Sequence, residues 1–210
     1  EKEVWSNVIY VNDVVVSNSY NSQTLQTVID NAASGATISL APGKYEGDLV
    51  SSKAINLIGS SEGTTKLDNI SFIGSSTLKN FQIANITFTD ASNEKNLDTN
   101  AASLYLQNAN NVRVENCVFT APEDNSGTTI AVTTVSGSNI TVDNCQISGY
   151  TISAYNNPGQ SDISFTSNKI SNCTSGIAFV GIDGITVTGN TFTNASGVRI
   201  EPSWDAGATK

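Results

Sequence analysis

Histidine and methionine are both absent from the 210 residues. Without histidine there is no imidazole to ligate a metal, shuttle a proton or complete a nucleophile–base triad. Charge is scarce too: Asp, Glu, Lys and Arg make up 14% of the chain, and its two arginines are Arg113 and Arg199. A net charge of −9 with no basic stripe offers nothing to neutralise phosphates, so nucleic acid is set aside as a partner. No stretch approaches the roughly 20 apolar residues of a spanning helix, and no membrane insertion is expected. No basic segment followed by an apolar run opens the sequence, so any secretion signal is expected to have been removed. The three cysteines, Cys117, Cys145 and Cys173, form no CxxC. An odd count at such spacing suits neither a zinc site nor a disulfide framework.

What is present is a repeat. A six-residue phrase, apolar at its first and last positions, occurs as Ile83–Phe88, Val114–Phe119, Val142–Ile147, Phe165–Ile170 and Val187–Phe192. Its start advances by 31, 28, 23 and 22 positions from copy to copy. A period that tightens into the low twenties marks a solenoid. After each phrase comes another short apolar strand: Leu104–Leu106, Ile130–Val132, Ile152–Ala154, Ile177–Phe179 and Val198–Ile200. Three short strands per turn, apolar at alternate positions, describe a right-handed parallel β-helix, an all-β fold.

The N-terminal part differs. Two β-branched runs, 8–11 and 14–16, flank an Asn12-Asp13 turn. Then Leu25, Val28, Ile29 and Ala32 fall at helical spacing, with Ser22 or Thr24 as N-cap and Ser34-Gly35 as the stop. An amphipathic helix here has a physical task, because the end coil of a solenoid exposes an apolar cross-section and unpaired strand edges. We expect one domain over 1–210: strands and capping helix to 35, coils over 36–201, and a tail over 202–210. Cys117 and Cys145 hold the same slot in successive phrases as Asn168 and Asn190. They are expected to be free buried thiols sharing a ladder with those amides, with Cys173 as core filler.

The run Leu25–Ala32 followed by Gly35–Tyr45 resembles the N-terminal cap and first coil of the pectin-lyase-like β-helix superfamily. The Asn-x-Phe phrases resemble its parallel β-helix repeats, and the resemblance covers about residues 22–201. It implies the fold, and a setting in a secreted or cell-surface bacterial protein. It does not by itself imply an activity, since members include lyases, hydrolases, epimerases, tailspikes and non-catalytic surface proteins.

Candidate sites follow from the outward columns of the phrase strand. One runs Gln82, Arg113, Thr141, Ser164, Thr186, and its neighbour Ala84, Glu115, Asp143, Thr166, Thr188. Arg113, Glu115 and Asp143 therefore cluster. Glu115 and Asp143 are candidate Ca²⁺ ligands. In the lyases of the superfamily such a cation grips a uronate while an arginine or lysine abstracts the proton, which implies Arg113 as a candidate catalytic base. The superfamily's Arg-x-Pro, His-containing and Gly-His-Gly segments are missing, and an inverting hydrolase needs carboxylates roughly 6.5–9.5 Å apart that this sequence does not supply. Tyr105, read as outward on its strand, and Tyr155, just beyond Ile152–Ala154, join Arg113 as candidate carbohydrate-binding residues. Asp68, Asp90, Asp98, Glu123 and Asp124 lie near turns, and the segments 89–103 and 120–129 are candidate cleft walls. Trp204 is expected to cover the last coil. The leading expectation is a non-catalytic module binding an acidic polysaccharide such as polygalacturonate, with Ca²⁺ as a candidate cofactor. The alternatives are a Ca²⁺-dependent pectate-type lyase and a structural stalk.

Overall fold

The computed structural model describes residues 7–18, 24–60, 64–92, 101–122 and 128–202. The chain opens with an antiparallel hairpin, β1 (Ile9–Val11) and β2 (Val14–Ser17), turned at Asn12-Asp13 with both residues at positive φ. Helix α1 (Leu25–Asn31) follows. Thr24 caps it, its side chain accepting from the Thr27 N–H, and Leu25, Val28 and Ile29 are buried. It ends at Asn31, before Ser34-Gly35, because Ala32 is already extended and its N–H caps the last carbonyls.

The coils begin with β3 (Thr37–Leu40), β4 (Gly43–Ser51), β5 (Asn56–Ile58), β6 (Thr65–Ala84) and β7 (Thr87–Phe88). They continue through β8 (Ala101–Glu115), β9 (Val118–Thr120), β10 (Thr129–Val135), β11 (Ser138–Asp143), β12 (Gln146–Ser148) and β13 (Ile152–Asn156). The last are β14 (Ser161–Thr166), β15 (Lys169–Ser171), β16 (Ser175–Val180), β17 (Asp183–Thr188), β18 (Thr191–Thr193) and β19 (Val198–Glu201).

Apart from the pairings of β1, every ladder is parallel, and three stacks result. The first stack runs from β4 through the early parts of β6 and β8 to β10, β13, β16 and β19. The second runs β3, β5, the ends of β6 and β8, then β11, β14 and β17. The third joins the starts of β4 and β6 to β7, β9, β12, β15 and β18. Strand β8 serves two stacks and β6 serves all three. They turn the corner through left-handed asparagines, Asn80 at φ 60° and Asn108 and Asn111 at 53° and 55°. Asparagine tolerates that region where other side chains are strained.

The interior is filled by like on like. Phe88 and Phe119 stack with centroids 4.8 Å apart, above Ile147 and Ile170 in the same column. The expected ladder is there: Cys117, Cys145 and Asn168 are buried and the thiols are free. Asn168 Oδ1 accepts from the Cys145 N–H at 2.9 Å, while its Nδ2 donates to Val142 O and to Asn190 Oδ1. A second internal amide step, not read from the sequence, joins Thr134 Oγ1 to Asn156 Oδ1 and Asn156 Nδ2 to Ala178 O.

Burial also sets an alkaline limit. Cys145 is pushed well above its ordinary value by its hydrogen bond with Cys117 and by desolvation, and Cys173 and Tyr150 are raised mainly by burial. Groups raised in the folded state hold their protons more tightly than in the unfolded chain. Their contribution is therefore complete below the unfolded pKa values and is lost as pH rises past them. The urea midpoint should stay level to about pH 8 and fall progressively from about pH 8.5 to 10.5, as unfolded thiols and phenols ionise. A midpoint unchanged at pH 10.5 would contradict this.

Candidate functional site

The register of the second stack sets Gln82, Arg113, Thr141, Ser164 and Thr186 in one column and Ala84, Glu115, Asp143, Thr166 and Thr188 in the next. Arg113, Glu115 and Asp143 are therefore neighbours. Arg113 donates to Glu115 Oε2 from Nη2 at 2.8 Å and from Nε at 3.2 Å. Gln82 Nε2 donates to the other carboxylate oxygen, and Thr166 Oγ1 donates to Asp143 Oδ1 at 2.5 Å. Both carboxylates thus carry protein donors already.

The hydrogen bond and charge of Glu115 raise the Arg113 pKa above its usual value. That opposes proton abstraction, because the neutral guanidine is scarcer than in a free arginine. The ion pair is also open to water, its side chains 57% and 23% exposed. Arg113→Ala should therefore change stability by less than about 1 kcal/mol, read as a small shift of the urea midpoint. Among the described residues no group of three or more Cys, Asp or Glu is placed to hold a metal ion.

The tyrosines separate. In the first stack, Ser71, Tyr105, Thr133, Tyr155, Ala178 and Arg199 form one outward column. Tyr105 is only 1% exposed, which corrects its reading as a surface sugar platform. The outward side of this sheet is a second, minor interior. Thr133 and Ala178 of this column are buried as well, outside the central core. The chain before β8 folds back beside this sheet, with Ser92 in an antiparallel bridge to Ala102 and Asp90 O accepting from Ser103 Oγ. Tyr155, two coils further on, is half-buried, and Arg199 at the end of the column has a side chain 56% exposed.

Arg199 is the residue that the sequence reading missed. Its signal was present, since both arginines lie in Arg-x-Glu and period-two geometry sets each on the same face as its glutamate. Arg199 Nη1 lies 3.3 Å from Glu201 Oε1, repeating the Arg113–Glu115 pairing on another face. Asp68 accepts from the Gly47 N–H and Asp90 from the Ala91 N–H, so both serve local backbone. Asp98, Glu123, Asp124, Trp204 and Ser22 lie outside the described residues.

A family model described as right handed beta helix region matches residues 68–206, from within β6 to beyond β19. The chain belongs to the right-handed β-helix family. No curated protein and no solved structure matches it. For this β-helix the family establishes the architecture, and function rests on the chemistry of its faces.

Proposed function

We propose that this β-helix is a non-catalytic module that binds an acidic polysaccharide of the polygalacturonate type. The observation that carries the reading is the in-register run Tyr155–Ala178–Arg199 on the outward side of the first stack. Tyr155 offers a flat apolar body with a hydroxyl at its edge, which suits stacking on a sugar ring. Ala178, between Tyr155 and Arg199 in the register, is buried. Arg199 is ion-paired with Glu201 at 3.3 Å and keeps guanidinium donors for a uronate carboxylate. Two strand steps separate Tyr155 from Arg199, about 10 Å, a span suited to a short stretch of glycan.

Calcium enters this reading as a weak ligand of Glu115 and Asp143. A tight site needs six to eight oxygens, and here a cation competes with Arg113, Gln82 and Thr166. Electrophoresis through a gel containing polygalacturonate tests the proposal. The protein should be retarded, equally with and without chelator, and Tyr155→Ala should lose the retardation while Arg113→Ala keeps it. Free migration of the unmodified protein would sink the reading and favour a structural stalk.

A further inference from the structure

We propose that the corner between the first and second stacks holds a separate binding groove for a linear neutral glycan. The groove has a volume of about 510 Å³ and is lined by residues of five successive coils. That volume lies within the range of small-ligand sites. One wall is a single in-register column, Asn110–Ser138–Ser161–Asp183. At about 4.8 Å per step it runs for roughly 14 Å along the solenoid axis. Ser136, Gly137, Gly159 and Gly181, just before the column residues in each coil, also line it, so small groups border the column.

Gln160 gives this groove a ligand-seeking group. It lines the groove, is 5% exposed, and donates from Nε2 to Thr134 O and to Asn157 O, both at 2.8 Å. Those two carbonyls fix which way the amide faces, since a flipped amide would set oxygen against oxygen. Its Oε1 is then a buried acceptor with no partner among the described residues. Such an acceptor is costly until a donor reaches it. A sugar hydroxyl is a donor of the right size, and it accepts in return from serine hydroxyls such as those of Ser138 and Ser161.

Two observations fix the ligand class. An extended peptide would bind such a corner through main-chain pairing, and the corner amides are already engaged. Asn157 N donates to Thr134 O, Ser161 N to Gly137 O, Asp183 N to Gln160 O and Gly181 N to Glu201 O. Charge disfavours an acidic glycan. Among the described residues Asp183 is the one ionisable group lining the groove, and Lys79, in register with Asn110, stands one step beyond its wall. The site thus differs from the Tyr155–Arg199 face in both place and ligand.

The test is to add cellohexaose, xylohexaose and mannohexaose in turn to ¹⁵N-labelled protein and follow its amide spectrum. At least one should shift the backbone amides of Gly137, Gly159 and Gly181 and the side-chain amide of Gln160 saturably. Trigalacturonate should leave these signals in place. Ser138→Trp, which fills the groove from a half-exposed position, and Gln160→Met, which removes the acceptor, should each weaken binding at least tenfold. Arg199→Ala should not, so this site and the proposed acidic-glycan face fail separately. Unchanged thermal midpoints for Ser138→Trp and Arg199→Ala establish that lost binding is not lost folding. The proposal is overturned if none of the three hexasaccharides moves these amides, in which case Gln160 serves only a water. It is equally overturned if the shifts persist in Ser138→Trp, or if the peptide (Gly-Ser)₅ produces them instead.

Discussion

Asn168→Ala is expected to destabilise the protein by about 3–5 kcal/mol, as much as truncating a buried Leu or Ile of the core. The side chain holds the Cys145 N–H, the Val142 carbonyl and the Asn190 amide at once, and it is fully buried. Alanine leaves the Cys145 N–H and the Val142 carbonyl without that partner, and each orphaned buried group costs about 1–3 kcal/mol. A domain of this kind has only about 5–15 kcal/mol in total. Because each coil rests on its neighbours, the loss should spread along the stack. Hydrogen exchange should show β15 and β18 losing protection first, while β3 and β5 keep theirs. Asn190→Ala should cost less, since Asn190 is half-exposed and anchors one side of the ladder. Equal protection throughout the Asn168→Ala variant would contradict a stack held coil by coil.

Arg199→Ala is expected to weaken polygalacturonate binding by about 10- to 100-fold. A charge-assisted hydrogen bond contributes about 1.5–3 kcal/mol, and each 1.4 kcal/mol is a factor of ten. Tyr155→Phe should lose only a few-fold, because the ring that stacks remains, whereas Tyr155→Ala should lose about tenfold. Arg113→Ala is the informative control. It removes the same charge from the same fold on a different face, and its guanidinium is already held twice by Glu115. If Arg113→Ala and Arg199→Ala weaken binding equally, the attraction is general electrostatics and not a site.

Much of this architecture was legible because two periods coincide. Period two along each strand and the shortening repeat between coils together set the columns, so Arg113, Glu115 and Asp143 were placed side by side correctly. The slot shared by Cys117, Cys145, Asn168 and Asn190 was readable for the same reason. The corners were less legible. Asn80, Asn108 and Asn111 sit inside continuous strands, since a left-handed residue bends β6 and β8 without ending their pairing. Gly43–Tyr45, directly after Pro42, likewise belongs to β4.

Tyr105 misled for a different reason. Alternation tells which side of a sheet a residue faces but not whether that side meets water, and β10 is buried on both sides from Thr129 to Thr134. Asn156, the last residue of β13, and Gln160, which follows that strand, escaped notice because both lie outside the phrase that defined the repeat. Arg199 escaped because the search for charge stayed on the phrase strand, where its partner column does not run.

The most direct measurement is an amide-shift titration of ¹⁵N-labelled protein with trigalacturonate. The account predicts saturable shifts centred on Tyr155, Ala178 and Arg199 of β13, β16 and β19, with Thr141, Ser164 and Thr186 unmoved. Shifts centred on the Arg113–Glu115 face, or none at all, would contradict it.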